Sequence, residues 1–352
     1  MKIEKLKLTN FRNFNKLELN FENLNVIFGP NASGKSTVLE AIHLLSTAKS
    51  ERAQYDKDMI QRGKEFAKIE AGITRDEENI KLELNIVASE RYQNLARKLV
   101  KVNGVSKTLI NFAGNLNSVL FTPSDLELIT NGPVLRRRYL DSVLSQVSEE
   151  YRHSHTNFTK IIKQRNKLLE RINEEGKGQS ELYFWNESLM KEGNIIHKHR
   201  QEFFDYIKNL LSRYGKKLHK DGGDLTEYYK KSEVTKERLE EYKTREIAAK
   251  NTLIGPNRDD FSLLLSGMDL QSFGSRGEQR MAVLVLKLCE MDFIYNSVHI
   301  RPVLLLDDIF SELDAAHKKR IFEVTALQQT IITTTDLAVI KENLKDPSII
   351  NL

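Results

Sequence analysis

Ten residues, Phe28-Gly29-Pro30-Asn31-Ala32-Ser33-Gly34-Lys35-Ser36-Thr37, carry the spacing G-x-x-x-x-G-K-[ST] and constrain this chain more than anything else in it. Gly29 and Gly34 let the backbone curl until successive N–H groups converge, and the dipole of the following helix adds positive potential at the same point. The loop is therefore a phosphate cradle. Lys35 is placed to reach β- and γ-phosphates, and the Ser36 hydroxyl to hold Mg2+. Such a loop needs a strand before it and a helix after it. Leu24-Asn25-Val26-Ile27-Phe28 reads as a buried strand and Thr37 to Leu45 as an amphipathic helix, so both are predicted. The competing reading, a glycine loop that binds nothing, explains neither flank.

A second element follows about 270 residues later. Val303-Leu304-Leu305-Leu306-Asp307-Asp308 is an apolar strand ending in two carboxylates, the form of a Walker-B strand. Asp307, at the strand tip, suits the Mg2+ shell opposite Ser36. Asp308 is placed to orient or deprotonate the water that attacks a γ-phosphate. Charged strand ends are common on protein surfaces, and only the pairing with the upstream loop makes this one specific.

Charge is distributed unevenly. The whole chain carries 54 Lys+Arg against 49 Asp+Glu, yet residues 151–250 alone have a net charge of +6 and hold five of the eight histidines and seven of the eleven tyrosines. Arg213, Lys216, Lys217 and Lys220 form the densest patch there, suited to DNA phosphates, with a solvated helical face as the rival reading. Arg136 and Arg137, in the run Arg136-Arg137-Arg138, are either further DNA contacts or a brace for the start of a helix. A single cysteine, Cys289, excludes an internal disulfide and a Cys-x-x-Cys zinc site. No apolar run approaches the length of a membrane span, and the first residues lack the apolar core of a signal peptide, so a cytoplasmic protein is expected.

Strand patterns dominate the first part of the chain: Ile3 to Thr9, Leu17 to Phe21, Lys68 to Thr74, Ile80 to Val87 and Leu99 to Val102, the last closing on an Asn103-Gly104 turn. Asn131-Gly132-Pro133 reads as a helix start. Apolar residues then keep helical spacing through Leu135 to Tyr151, Phe158 to Ile172 and Leu182 to Tyr214, an arm that folds back on itself. Three segments are expected: residues 1–130, an ATPase lobe with antiparallel strands; 131–252, a helical lobe; and 253–352, the return to the ATPase core. Ser275-Arg276-Gly277-Glu278-Gln279 opens a further helical run. Its hydroxyl, free N–H groups and helix dipole suit a second anion contact, which makes sense if it completes the first site on another molecule.

The order of P-loop, late signature, Walker-B strand and Ser311-Glu312-Leu313-Asp314 is that of an ABC-type ATPase. Leu8-Thr9-Asn10-Phe11-Arg12-Asn13-Phe14 with Gly29-Pro30-Asn31 is similar to its SMC-like branch. Phe121-Thr122-Pro123-Ser124-Asp125-Leu126, Arg136-Arg137-Arg138-Tyr139-Leu140-Asp141, Gly255-Pro256-Asn257-Arg258-Asp259-Asp260 and Leu306 to Asp314 resemble the RecF family of bacterial recombination mediators over essentially the whole chain. The resemblance implies an α/β ABC-type ATPase head, a P-loop core with an antiparallel β layer, plus an α-helical second lobe. It implies ATP and Mg2+ as cofactors, slow DNA-stimulated hydrolysis and an ATP-dependent homodimer. Its partners would be duplex, gapped or junction DNA, together with RecR and RecO in recombinase loading, repair and fork maintenance.

Residue by residue, the resemblance makes Gly29 to Thr37 the nucleotide cradle, Ser36 and Asp307 the Mg2+ residues and Asp308 the hydrolytic carboxylate. Ser275 with Gly277 would be the γ-phosphate contact made in trans, and Gln279 a further nucleotide-binding residue. Arg12 is either a nucleotide contact or a plain surface arginine. Ala32 departs from a common glycine, with a methyl group that a right-handed backbone carries. Asn257 stands where the family usually shows His. The strand Thr330 to Asp336 lacks the usual His, which leaves Thr334 or Thr335 to sense the γ-phosphate. Two other functions stay open: the energising subunit of a membrane transporter, and a nucleotide-gated scaffold that does not hydrolyse.

Overall fold

Along the first hundred residues alternate side chains are buried, whereas residues 24–28, 303–307 and 330–334 are buried almost continuously. The first pattern makes antiparallel strands with one wet face, and the second makes parallel strands covered on both sides. The computed structural model describes residues 1–89, 95–218, 223–311, 315–344 and 346–352. In chain order the elements are β1 (Lys2–Phe11), β2 (Phe14–Asn20), β3 (Leu24–Phe28), α1 (Lys35–Thr47), β4 (Phe66–Arg75), β5 (Glu78–Ala88), β6 (Ala96–Val102), β7 (Val105–Lys107), the short α2 (Leu109–Phe112) and β8 (Ser118–Phe121). Next come α3 (Glu127–Thr130), α4 (Pro133–Val147), α5 (Glu149–Glu175), α6 (Glu181–Leu218), β9 (Leu225–Lys230), α7 (Lys236–Ala249), β10 (Asp260–Leu265), β11 (Met268–Asp269) and α8 (Leu270–Phe273). The chain ends with α9 (Arg276–Val298), β12 (Val303–Asp307), α10 (Ala315–Thr325), β13 (Thr330–Thr334), α11 (Ala338–Asn343) and β14 (Ser348–Asn351).

Two compact units result, one of Met1–Leu126 with Leu286–Leu352, the other of Glu127–Val285. The first holds an antiparallel sheet ordered β2-β1-β4-β5-β6-β7 and a parallel sheet ordered β14-β3-β13-β12-β8. Between them lies a core to which α1 contributes Val38, Leu39, Ala41, Ile42, Leu44 and Leu45, all essentially excluded from solvent. Each such leucine or isoleucine contributes about 1.5–3 kcal/mol through burial. β13 lies between β3, which carries the P-loop, and β12, which carries the two aspartates, so the sheet order alone brings their tips together. Asn103 and Gly104 both take positive φ in the β6–β7 turn, as a tight hairpin needs.

The second unit is mainly helical. Pro133 occupies the first turn of α4 and Gly132 caps it. The Ser148 hydroxyl caps α5 by accepting the Tyr151 N–H, and Gly176 ends that helix in the left-handed region. α6 runs for 38 residues, or about 57 Å at the usual rise per residue. Among the described residues no helix is long and apolar enough to cross a membrane.

The return to the first unit falls at Leu286 and not at residue 253 as expected. β10 pairs along its whole length with β9, which keeps residues 260–265 in the second unit. Asp259 reinforces this: its buried carboxylate accepts from His197 (3.1 Å), Arg200 (2.7 Å), the Tyr229 hydroxyl (2.6 Å) and the Ser232 N–H (2.7 Å). Burial would raise the Asp259 pKa, but the hydrogen bond from His197 and the charge of Arg200 outweigh it and hold the group below the usual carboxylate range. The Gly255-to-Asp260 motif is therefore a structural hub, with Asp260 bound by Arg136 and Arg258 donating to the Thr252 carbonyl. Asn257 lies in the short turn that follows Gly255.

Candidate nucleotide-binding site

β3 ends at Phe28, and the loop to α1 turns on Gly34 at φ +109°. A Cβ on Gly34 would lie 2.3 Å from the Phe14 ring and 2.6 Å from the Asn13 amide, and one on Gly29 would lie 2.4 Å from the Leu352 carbonyl oxygen. Gly34 is thus required by backbone shape and by close approach, and Gly29 by close approach. Lys35, buried, donates from Nζ to the carbonyls of Gly29 (2.8 Å) and Pro30 (2.9 Å), arching over the loop. The Ser36 hydroxyl donates to Asp307 Oδ1 at 2.8 Å, which joins P-loop and Walker-B strand directly.

A cleft of about 650 Å³ opens at this junction, and Asn31, Ala32, Gly34, Lys35, Ser36, Thr37, Asp307 and Asp308 all line it. Arg12 lines it too and is no plain surface residue. Its Nε and NH2 grip Glu40 of α1 at 3.1 and 2.6 Å, and its NH1 donates to the Asp58 carbonyl at 2.9 Å. The Ser33 hydroxyl is buried in the loop without a hydrogen-bond partner among the described residues. An orphaned buried hydroxyl in a phosphate cradle fits a ligand rich in acceptor oxygens. The donors also fit Mg2+, a hard cation that takes one or two protein oxygens and leaves its other positions to water and phosphate. Ser36 and Asp307 would hold it. Among the described residues no group of three or more His, Cys, Asp or Glu forms a metal cluster, so a cage built from protein alone is not offered.

Ala32 overturns one expectation. Its φ is +66°, in the left-handed region, so the methyl group sits on a backbone that favours glycine. One of the two candidate sensor hydroxyls is already engaged. Thr334 is occupied by a local turn, donating to the Asp336 carbonyl (2.9 Å) and accepting the Asp336 N–H (3.0 Å). Thr333, one residue earlier, is the hydroxyl that reaches the site, 2.8 Å from Asp307 Oδ1. Asn13, quoted above only as part of a motif, also lines the cleft, as do Arg52, Asp58, Ile60 and Arg62, which went unnoticed in the sequence. Most of them stand in a connection without periodicity, where only the abundance of arginine offered a signal.

At the start of α9 the Ser275 hydroxyl accepts the Glu278 N–H (3.3 Å) while the Glu278 carboxylate accepts the Ser275 N–H (2.7 Å), a reciprocal cap. Ser275 and Gly277 are exposed. A Cβ on Gly274 would clash with Leu270 at 2.7 Å, whereas one on Gly277 would meet nothing within 4 Å. Gly274 is needed by this chain's own fold, and Gly277 is not. Gln279 departs from expectation: its side chain is buried and its amide donates to the Leu270 carbonyl at 2.8 Å, so it braces the signature loop and is not free for a nucleotide.

The family model for the RecF/RecN/SMC N terminal domain matches residues 2–347. The DNA replication and repair protein RecF of Lachnoclostridium phytofermentans is 36% identical over 342 residues, 96% of this chain and 93% of that one. RecF of Oceanobacillus iheyensis is 33% identical, covering 96% and 94%. This chain belongs to the RecF family. A solved structure described as the recombination mediator RecF with ATP in the RecFOR pathway superposes with a TM-score of 0.89 at 32% identity, covering 99% of this chain and 95% of that one. An Smc head bound to part of ScpA, 18% identical with a TM-score of 0.55 and covering 99% and 93%, shares the fold. The RecF-type fold is thus the ABC-type ATPase head expected from the motifs, with its antiparallel layer and helical lobe.

Of the residues considered for DNA, Arg136 is buried, with both Asp260 oxygens at 2.6 and 3.0 Å and the Leu128 and Asn131 carbonyls on NH1. Arg137 donates to the Asp259 carbonyl at 2.9 Å. Both brace α4, one of the two alternatives read from the sequence; Arg136, buried with its fork engaged, is withdrawn as a DNA contact, whereas Arg137 is half-exposed and has donors beyond that one bond. Arg213, Lys216 and Lys217 are exposed along the last turns of α6, Arg213 over the Tyr214 ring and Lys216 3.6 Å from Asp224. Lys220 lies outside the described residues, as do Glu312, Leu313 and Asp314.

Proposed function

We propose that this chain is a cytoplasmic, ATP-hydrolysing DNA replication and repair protein that closes as a homodimer around two ATP molecules. In the dimer each P-loop is completed by Ser275 and Gly277 of the other copy. The observation that carries this reading is the contrast between Gly274 and Gly277. An exposed glycine in the first turn of a helix that nothing in its own chain requires costs stability relative to alanine, by less than the roughly 1 kcal/mol of a helix interior. A phosphate approaching the backbone from a second copy gives it a purpose.

Within the closed site Lys35 would release the loop carbonyls and turn to the β- and γ-phosphates. When bound, Mg2+ supplies positive charge that withdraws electron density from those phosphates. Asp308 would orient the attacking water. Its side chain is one methylene shorter than glutamate, which supports slow turnover, and DNA held by the dimer would accelerate it. The relatives' names and the RecFOR description of the neighbour support a role in recombinational repair and fork maintenance with RecO and RecR. The family match and the Ser-x-Gly-x-Gln signature speak against a transporter subunit.

If ATP joins two basic arms, duplex affinity should require nucleotide and fall with salt. The test is a salt titration of duplex binding with and without a nonhydrolysable ATP analogue. The logarithmic slope should be about −0.9 per phosphate neutralised and lessen by about one unit for each contributing cation removed among Arg213, Lys216 and Lys217. Equal affinity without nucleotide would overturn the gating, and unaltered slopes would move the DNA surface elsewhere.

A further inference from the structure

Thr333 is fully buried in β13, directly opposite Asp307 of β12 and Ile27 of β3. The same strand carries Ile331 and Ile332, and a parallel strand covered on both faces ordinarily fills such a position with valine or isoleucine. A hydroxyl there is costly unless it is bonded. It is bonded on both sides. Oγ1 donates to Asp307 Oδ1 at 2.8 Å, much nearer than the Leu306 carbonyl at 3.4 Å, and accepts the Asp308 N–H at 3.1 Å, while the Thr333 carbonyl accepts that same N–H at 3.2 Å.

We propose that Thr333 is a positioning residue for ATP hydrolysis, one side chain that sets both acidic residues of the Walker-B tip. A hydroxyl has one proton and two lone pairs, and here each kind is assigned. The proton, together with that of Ser36 at 2.8 Å, fixes the Asp307 carboxylate through Oδ1 and leaves Oδ2 without a protein donor among the described residues. That is the arrangement a carboxylate needs in order to offer one oxygen to a cation at a fixed angle. The lone pair anchors the Asp308 N–H, and Asp308 takes φ +51° there, a left-handed conformation that a non-glycine residue holds only when its surroundings fix it. The bend carries Asp308 out of the strand line to the cleft that it lines. The inference rests on the reading of the cleft as an ATP site.

Its test compares Thr333→Val, which keeps the shape and removes the hydroxyl, with Thr333→Ser, which keeps the hydroxyl. ATP affinity is measured by equilibrium dialysis in excess chelator and again in Mg2+, and turnover is measured separately. In Thr333→Val the affinity without Mg2+ should stay within about twofold of the parent. The gain conferred by Mg2+ should shrink, and kcat should fall, by about tenfold with KM little changed, the value of one hydrogen bond to a charged group. Thr333→Ser should restore both. A valine variant that matches the parent in Mg2+ gain and kcat overturns the proposal. So does an equal loss of affinity with and without Mg2+, which marks a purely structural residue, and so does a serine variant that restores nothing. Should the parent bind ATP without turning it over, hydrolysis fails as a reading and the Mg2+ gain alone decides for Thr333. Should the parent bind no ATP, both fall.

Discussion

Cutting Arg12 back to alanine should destabilise the first unit by about 2 kcal/mol, a value that follows from what is left of Glu40. The Glu40 side chain is 3% exposed and takes both strong bonds of the Arg12 fork, at 2.6 and 3.1 Å. Stranding a buried charge costs about 3–5 kcal/mol. Three features reduce that here. The Arg12 side chain is 23% exposed, so water enters after it; the Ser50 hydroxyl still donates to Glu40 at 2.6 Å; and Arg52 stays 3.8 Å away. For a unit of this size each kcal/mol moves the midpoint by about 2–4 °C, so thermal unfolding without nucleotide should shift down by about 4–8 °C. A double-mutant cycle with Glu40→Ala should return a coupling energy of about 1.5–3 kcal/mol, the range for hydrogen bonds to charged groups. Arg12 has two N–H groups left over for a phosphate, since three of its five are used in the pair and on the Asp58 carbonyl. A coupling below about 0.5 kcal/mol would refute the argument that Glu40 holds Arg12 at the cleft.

Ala32→Gly should stabilise the protein by about 0.5–1 kcal/mol, because relief of the left-handed strain exceeds the added freedom of the unfolded chain; a glycine variant less stable in denaturant than the parent would contradict the strained loop. Asp259→Asn should cost the second unit about 3–5 kcal/mol at neutral pH by leaving Arg200 without one of its buried partners. The pH dependence has a definite sign. The Asp259 carboxyl is depressed in the fold, so its contribution is complete above the unfolded value near 4 and disappears as pH falls through the lower folded value. Parent and variant should therefore converge in stability only in strong acid, and convergence already at pH 6 would reject the hub.

The P-loop and Walker-B strands were legible because phosphate chemistry fixes residue types at fixed spacing, and their flanks carried strong apolar runs. Helices α4 to α6 were legible through apolar periodicity. Less local features were not. Ala32 gives no sign in sequence of its backbone handedness, which is imposed by the loop between β3 and α1. Nothing near Thr333 distinguishes it from Thr334 or Thr335, and only the pairing of β13 with β12 selects the hydroxyl that meets Asp307. Arg136 could be read as a DNA contact or as a brace, and only its partner, 124 residues away, decides for the brace. β9 and α7 lie in polar stretches whose pattern is weak, and they are held by tertiary partners such as the buried Arg165–Glu246 pair.

The central claim is that ATP closes two copies through the exposed start of α9, and the solution mass of the parent and of Ser275→Arg tests it most directly. With saturating ATP and Mg2+ the parent should pass from monomer to dimer. Ser275→Arg should bind ATP with nearly the parent's affinity, because its P-loop is untouched, and remain a monomer, because bulk and charge enter the shared phosphate site. A parent that stays monomeric at saturating ATP, or a Ser275→Arg variant that dimerises as the parent does, would contradict the account.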